Sequence, residues 1–464
     1  MNFAIVNLGC KVNRVESDGV AAQLIDSGWF AAPEASADLI VVNTCTVTGE
    51  AEKKTRKAVR RALRENERAV VIVTGCAAAI DAATYEAMSP RVRIVGKVQL
   101  ADEVGKTVRE LSAGDACSAP SAALDACACG ARETPPGWSA DSGSGSSPLP
   151  HDGSPLPCAE SASVLAAGRS DAGAPSSFPF RTRVGVKVQD GCNNACTFCI
   201  VHVARGRAVS RPADAIVREC VDLVRAGVHE IVLTGINLGS YCDGGRRDAD
   251  AALLPDLLER LLVETAGLHG DGERACRFRI SSIEPRDVSE GLIDLMARSD
   301  GRICRHLHLP LQSGSTKVLR EMARPYTAEQ FGALVEHLYE ALPSLSLSTD
   351  VICGFPGETD GEFEETLAMA RICRFSKIHV FPYSMRSGTP AAARADQIAP
   401  DVRTARAARL RRLGDELREA DLARRAGTCE LALVEESGVA MTESYHELPA
   451  PPDASPGSLV LVSL

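Results

Sequence analysis

Cys192, Cys196 and Cys199 sit in the run Cys-Asn-Asn-Ala-Cys-Thr-Phe-Cys, directly after a stretch with strand character. Three thiolates at C-x3-C-x2-C spacing can hold three irons of a cubane cluster and leave the fourth without a protein ligand. An open iron can bind a substrate or a cofactor. The competing chemistry is a zinc site with His202 as fourth ligand. Structural zinc usually takes paired C-x2-C or Cys/His knuckles, and no second knuckle follows.

Cys10, Cys45 and Cys76 form a second set. Each falls just after an apolar, β-rich run, in NLGC, NTC and TGC. In a parallel α/β sheet the carboxyl ends of neighbouring strands share one edge, where ligands gather. Three cysteines far apart in sequence can therefore meet, again with one iron left open. The other reading is three buried cysteines acting as small apolar residues. Their repeated placement after strands, with Gly9 and Gly75 beside two of them, favours ligation.

The chain has 17 cysteines, an odd number. MNFAIVNLGCKVN carries no basic segment ahead of an apolar core, so no secretory signal is expected, and the cytoplasm is the expected compartment. A disulfide framework is not expected without export, which leaves metal or cluster ligation as the better reading. Cys220, Cys242, Cys276, Cys304, Cys353, Cys373 and Cys429 stand singly and read as packing residues. Cys117, Cys127, Cys129 and Cys158 lie in a segment too loose to preorganise a site.

Elements that could position these cysteines are visible in the apolar periodicity. Phe3 to Leu8, Leu39 to Val42 and Val70 to Val73 read as buried strands with helices between them, an α/β segment with a parallel sheet. Asn13 with Glu16 suggests a capping box opening its first helix. Residues 1–112 belong to this segment. Residues 113–178 are rich in Ala, Ser, Gly and Pro and read as a flexible linker. Strands follow at Val184 to Val188, Glu230 to Thr234, Phe278 to Ser281, His306 to Leu309, Leu345 to Val351 and Lys377 to Phe381. Six βα units, with capping boxes at Thr327/Gln330 and Thr359/Glu362, imply a barrel or partial barrel over residues 179–426. Residues 427–464 read as a small β module with strands at Glu430 to Val434 and Ser458 to Val462.

A chain of 464 residues suggests about three domains. Hydrophobic content of 45% and charged content of 24% exclude collagenous, wholly disordered and multi-span membrane classes. The apolar stretch Ala69 to Ile80 is too short to cross a bilayer. A net charge of −10 argues against a general polyanion binder. Two local basic groups remain: Lys53, Lys54, Arg56, Lys57, Arg60, Arg61 and Arg64 on one helix, and Arg205, Arg207 and Arg211 after the cysteine run. Each is either a nucleic-acid contact or a solvated face.

The C-x3-C-x2-C run with Phe198 before its last cysteine resembles the radical S-adenosylmethionine (SAM) superfamily. The three-cysteine segment ahead of it resembles the methylthiotransferases, and within them those acting on tRNA threonylcarbamoyladenosine. The stretches that carry the likeness are NLGCKVNRVESD, VVNTCTVT, VKVQDGCNNACTFCIV, ARGRAVSR, VLTGINLGSY, RISSIEP, LHLPLQSGST, TDVICGFPGETDGEFEET and KIHVFPYSMRSGTPA. They span residues 1–98 and 180–393.

The resemblance implies two [4Fe-4S] clusters. Cys192, Cys196 and Cys199 would hold the one that chelates SAM, whose reductive cleavage gives a 5′-deoxyadenosyl radical. Cys10, Cys45 and Cys76 would hold the second, which presents a methylated sulfur. The substrate would be adenosine 37 in the anticodon loop of tRNA, modified at C2, and the partner an electron donor such as flavodoxin. Expected SAM contacts are Phe198, then Thr234, Gly235 and Asn237 after the second barrel strand, Ser282 and Glu284 after the third, Gln312 and Ser313 after the fourth, and Asp350 in the fifth. The tail resembles a shortened TRAM module, the family's small RNA-binding barrel. It is poor in Lys and Arg, which leaves the basic helices to compensate in tRNA affinity. A methylthiotransferase acting on isopentenyladenosine tRNA or on a ribosomal protein is the near alternative, and a non-catalytic iron–sulfur electron carrier the distant one. A carrier would leave GINLGSY, RISSIEP and GFPGET unexplained.

Overall fold

The computed structural model describes residues 1–46, 49–113, 182–245, 251–269 and 274–464. The expected linker therefore lies outside the described residues from Gly114 onward, and its four cysteines with it.

The first sheet has five parallel strands, β1 (Asn2–Asn7), β2 (Phe30–Ala31), β3 (Leu39–Thr44), β4 (Val70–Gly75) and β5 (Val92–Ile94), in the order β2-β1-β3-β4-β5. β3 is buried along its whole length, as a run of Leu-Ile-Val-Val requires when both faces of a sheet are covered. The helices Lys11–Asp26 and Leu100–Ser112 cover one face through Val20, Leu24 and Val104. Gly49–Glu65 covers the other through Val59 and Ala62. β2 and β5 were not expected from the sequence. They are two- and three-residue edge strands, too short to show an alternation.

The second unit contains β6 (Arg183–Lys187), a short antiparallel pair β7 (Gln189–Asp190) and β8 (Val209–Ser210), then β9 (Glu230–Thr234), β10 (Arg277–Ile280), β11 (His306–His308), β12 (Ser346–Cys353) and β13 (Lys377–Pro382). Two parallel sheets, β10-β9-β6 and β11-β12-β13, are joined by the parallel bridges Phe278–Ile303 and Ser282–His308. The result is a curved run of six parallel strands, each within two residues of its expected place, with helices packed outside. The edge at β6 meets the Lys11–Asp26 helix. A Cβ at Gly185 would stand 2.5 Å from the Val15 Cγ2, so only glycine lets helix and strand approach this closely.

The capping boxes at Thr327/Gln330 and Thr359/Glu362 are both present. The one expected at Asn13 and Glu16 is not. The helix starts at Lys11 with Cys10 as its N-cap and no side-chain cap. Asn13 is instead buried and donates to the Asn43 Oδ1 at 2.7 Å and to the Thr44 carbonyl at 2.9 Å. Tertiary partners took both side chains away from the helix end.

The last strands are β14 (Cys429–Val434), β15 (Val439–Thr442), β16 (Glu447–Pro449) and β17 (Leu459–Ser463), an antiparallel sheet in the order β16-β15-β14-β17. It plugs the amino-terminal end of the six parallel strands. Arg277 donates to the carbonyls of Leu431 at 2.8 Å and Met441 at 3.1 Å, and Arg279 to those of Glu443 at 2.8 Å and Thr442 at 3.0 Å. Both arginines pair with the fully buried carboxylate of Glu230. The singly placed cysteines are buried as packing residues, except Cys429, which is exposed at the start of β14. No helix among the described residues is long and apolar enough to cross a membrane.

Candidate active site at the seam between the parallel sheets

Cys192, Cys196 and Cys199 follow β7 and line one cavity of about 1350 Å³, with His202, Arg207, Met385 and Thr389 on its walls. Burial pushes the Cys199 thiol up to about 12 and raises that of Cys192 as well. The loop is tied down from outside. Thr197 donates its backbone N–H to the Met322 carbonyl at 3.1 Å and its hydroxyl to that of Glu321 at 2.8 Å. Arg324, buried, donates to the Cys196 Sγ at 3.1 Å and pairs with Glu284. Burial raises the Glu284 carboxyl above its ordinary value despite that partner.

The second set gathers at the carboxyl edge of the first sheet. Thr44 and Gly75 are register partners on β3 and β4, so Cys45 and Cys76, one residue further on, leave adjacent strands side by side. Cys10 follows β1, and its thiol donates to the Asn13 Oδ1 at 3.3 Å. Arg205, six residues past Cys199, reaches across from the helix Val201–Arg205. It donates to the same Asn13 oxygen at 2.7 Å, to the Cys76 Sγ at 3.3 Å, to Glu16 at 3.1 Å and to Asp190 at 2.7 Å. Burial opposes ionisation of Glu16 and Asp190. Lys97, Lys187 and Arg205 outweigh it and hold both carboxyls below their ordinary values. Near Cys45, the Arg386 guanidinium pairs with Glu52 at 3.2 Å through one nitrogen. Its Nε and Nη2 are buried with no hydrogen-bond partner, an arrangement that calls for an anionic group beside them.

Of the expected SAM contacts, Asn237 fits best. It follows β9, its backbone N–H donates to the Gln189 Oε1 at 2.9 Å, and its own Oδ1 is buried without a partner. Gly235 lets the same Gln189 in, since a Cβ there would lie 2.9 Å from its Oε1. Thr234 is buried at the end of β9, and its hydroxyl lies 3.5 Å from the Val186 carbonyl. Ser282 bridges to His308, and Gln312 takes a φ of 64° between β11 and β12. Phe198 packs outward against Val318, Met322 and Phe355. Asp350 lies 3.2 Å from the His308 Nε2. The Ser313 hydroxyl is engaged in its own turn, accepting from Ser315 at 3.2 Å beside Thr366 at 3.3 Å, so it holds structure.

The basic groups also separate. Arg205 is buried as described, and Arg211 pairs with Glu219 at 2.7 Å, which removes both from a nucleic-acid surface and leaves Arg207. On the Gly49–Glu65 helix, Lys53, Arg56, Lys57, Arg60, Arg61 and Arg64 line one surface groove. Sequence reasoning gave no role to Arg324 or Arg386 and read Asn13 only as a helix cap. Their signal is a polar side chain inside a stretch otherwise read as helix or loop, and only tertiary contact reveals it.

The donor sets fit sulfur-ligated clusters: three cysteines open to one cavity, three more at one strand edge, and buried polar atoms without partners at Asn237 and Arg386. Comparison with known proteins agrees. The Radical SAM superfamily matches residues 186–370, and the uncharacterized protein family UPF0004 matches residues 2–96. A threonylcarbamoyladenosine tRNA methylthiotransferase of Bacillus subtilis is 37% identical over 89% of this chain and 80% of its own length. Its counterpart in Treponema pallidum is 34% identical over 96% and 93%. A tRNA-2-methylthio-N(6)-dimethylallyladenosine synthase of Opitutus terrae is 34% identical over 87% and 80%. Among solved structures, the radical SAM methyltransferase TsrM of Kitasatospora setae, with cobalamin and a [4Fe-4S] cluster bound, shares the fold at a TM-score of 0.53 and 16% identity, covering 84% of this chain and 77% of its own. With the cysteine sets, the strand order and relatives that match along most of their length, the chain belongs to the radical SAM methylthiotransferase family.

Proposed function

We propose that the chain is a tRNA methylthiotransferase that converts N6-threonylcarbamoyladenosine at position 37, in the anticodon loop, to its 2-methylthio derivative. Its cofactors are two [4Fe-4S] clusters and SAM. The observation that carries the reading is that Arg205, a short helix away from Cys199, meets Cys76 directly and Cys10 through Asn13. Cys192, Cys196 and Cys199 are assigned to one cluster, and Cys10, Cys45 and Cys76 to the other. When bound, these groups supply one-electron cleavage of SAM, hydrogen abstraction at an unreactive carbon, and the sulfur that is transferred.

The chain's own residues do the positioning. Arg324 holds Cys196 and Glu284 in one hydrogen-bonded unit and places positive charge beside a thiolate-ligated site. The Asn237 Oδ1 offers an acceptor suited to the amino group of SAM, with Thr234, Gly235, Ser282, Glu284, Gln312 and Asp350 around the same strand ends. Arg386 turns two donors toward the Cys45 region. Arg205 fixes the two cysteine sets relative to each other. We assign residues 1–112 to the second cluster's domain, 179–426 to the radical SAM domain and 427–464 to the TRAM-like module. An electron donor such as flavodoxin and a cytoplasmic location complete the proposal.

Nucleoside mass spectrometry of tRNA from a deletion strain tests it. The 2-methylthio derivative of threonylcarbamoyladenosine should vanish and return on complementation. Loss of the isopentenyladenosine derivative instead would move the chain beside its Opitutus terrae relative, and loss of a methylthio group from a ribosomal protein would remove tRNA as substrate.

A further inference from the structure

We propose that Lys11 is the carboxylate-reading group of the barrel interior, its ammonium taking the carboxylate of an amino-acid substituent on the substrate base. The inference rests on the tRNA reading above and deepens it. Lys11 directly follows Cys10 and opens the helix that meets β6. Its Nζ lies 5.6 Å from the centroid of the Tyr445 ring, which comes from the turn between β15 and β16. That ring also faces His306 at 4.7 Å, Arg279 at 4.5 Å and Arg183 at 5.6 Å. Tyr445 takes a φ of 70°, a conformation that bulky side chains avoid, and this places its ring at the foot of the six-stranded unit.

The charges around that ring do not cancel. Arg279 is paired with Glu230, and Arg183 with Glu435 at 2.7 Å. Asp350, the carboxylate on the neighbouring strand, faces the His308 imidazole at 3.2 Å, which offers it a positive charge only when protonated. Glu16, one turn along the same helix, is engaged by Lys97, Lys187 and Arg205. Lys11 is exposed and makes no ion pair among the described residues; Lys377 on β13, likewise without one, acts on His379 beside it, and the two ammonium groups outnumber Asp350, the carboxylate that acts on the same imidazole. His306 and His379 beside Lys11 are both held toward the neutral form. Burial, then Arg279 and Lys11, lowers His306. Burial lowers His379 too, with Asp350 pulling the other way. Neutral imidazoles can exchange hydrogen bonds with the ureido and hydroxyl groups of a threonylcarbamoyl substituent, while the ammonium takes its carboxylate. An isopentenyl group has nothing to offer such a site.

The test measures the affinity of the reconstituted protein for three synthetic anticodon stem-loops. One carries threonylcarbamoyladenosine at position 37, one its methyl ester, and one isopentenyladenosine. Lys11→Gln should weaken binding of the first by roughly 10- to 100-fold, the range of a charge-assisted hydrogen bond. Binding of the ester and the isopentenyl form should stay unchanged. Lys11→Arg should restore most of the loss. Iron content equal to the parent's shows that the neighbouring Cys10 site is intact. Equal weakening of all three stem-loops, or none, overturns the subsite. A parent protein that itself prefers the isopentenyl stem-loop overturns the substrate reading and the subsite with it. A parent that prefers the threonylcarbamoyl form while the Gln variant keeps that preference overturns the subsite alone.

Discussion

The Nε of Arg205 donates to the Sγ of Cys76 across 3.3 Å, joining a helix that follows the C-x3-C-x2-C run to the strand edge of another sheet. The side chain is almost wholly buried and serves Asn13, Glu16 and Asp190 as well. Replacing it with alanine leaves Glu16 and Asp190 to Lys97 and Lys187, and losing a buried charge-assisted hydrogen bond costs about 1.5–3 kcal/mol. Arg205→Ala should lower the midpoint of thermal unfolding and raise hydrogen exchange in the helices Lys11–Asp26 and Val201–Arg205. Exchange rates matching the parent's in both helices would mean that the two sheets are held together elsewhere.

Two cysteine sets predict two cubanes. Anaerobically reconstituted protein should bind about eight irons, and the Cys192, Cys196 and Cys199 triple alanine variant about half as many. The variant of Cys10, Cys45 and Cys76 should still cleave SAM under reduction and form no methylthio product. A parent with about four irons would make the strand-edge cysteines structural.

The exposed arginines and lysines of the Gly49–Glu65 helix are partly spoken for: Lys54 by Glu50, Arg56 by Glu52, Arg61 by Glu34. Lys53, Lys57 and Arg60 make no ion pair among the described residues. Each phosphate contact adds about 0.7–0.9 to the slope of log affinity against log salt. Changing Lys53, Lys57 and Arg60 to glutamate should weaken tRNA binding and flatten that slope by roughly two to three, with iron content unchanged. An unaltered slope would make this helix a solvated face and turn attention to Arg207.

Glu230 is buried between Arg277 and Arg279, and although burial opposes it, their charges hold its carboxyl well below the ordinary 4.5. A carboxylate depressed in the folded state adds stability that is complete above about pH 5 and drains away as pH falls below 4.5 toward the folded value. Glu230→Gln should cost about 3–5 kcal/mol at neutral pH and flatten the acid limb of a stability–pH curve. Limited proteolysis should release the 429–463 sheet first. A variant with the parent's acid limb would show that other carboxylates govern it.

Long apolar strands were readable because a run such as Leu39 to Val42 admits few alternatives, and Glu230 to Thr234 in the second unit followed the same rule. The cysteine sets were readable because thiolate chemistry constrains spacing in one case and strand ends in the other. The positioning residues were not. Asn13 carries a helix-cap signature but faces Asn43, thirty residues on. Arg205 looks like one of three basic residues after a motif, and its four partners come from three separate stretches of chain. A side chain whose role is set by what arrives from elsewhere leaves no periodicity to read.

The plug at the foot of the barrel has a consequence for how the protein is made. Arg277 and Arg279 find their carbonyl acceptors 154 to 164 residues further along the chain. At ribosomal rates of about 5–20 residues per second, those acceptors emerge roughly 10–30 s after the arginines themselves. During that interval the later parallel strands are still being made, and the forming unit holds charged groups at an uncovered end. That is a window in which chaperones, proteases and the cluster-loading apparatus all meet an unfinished protein.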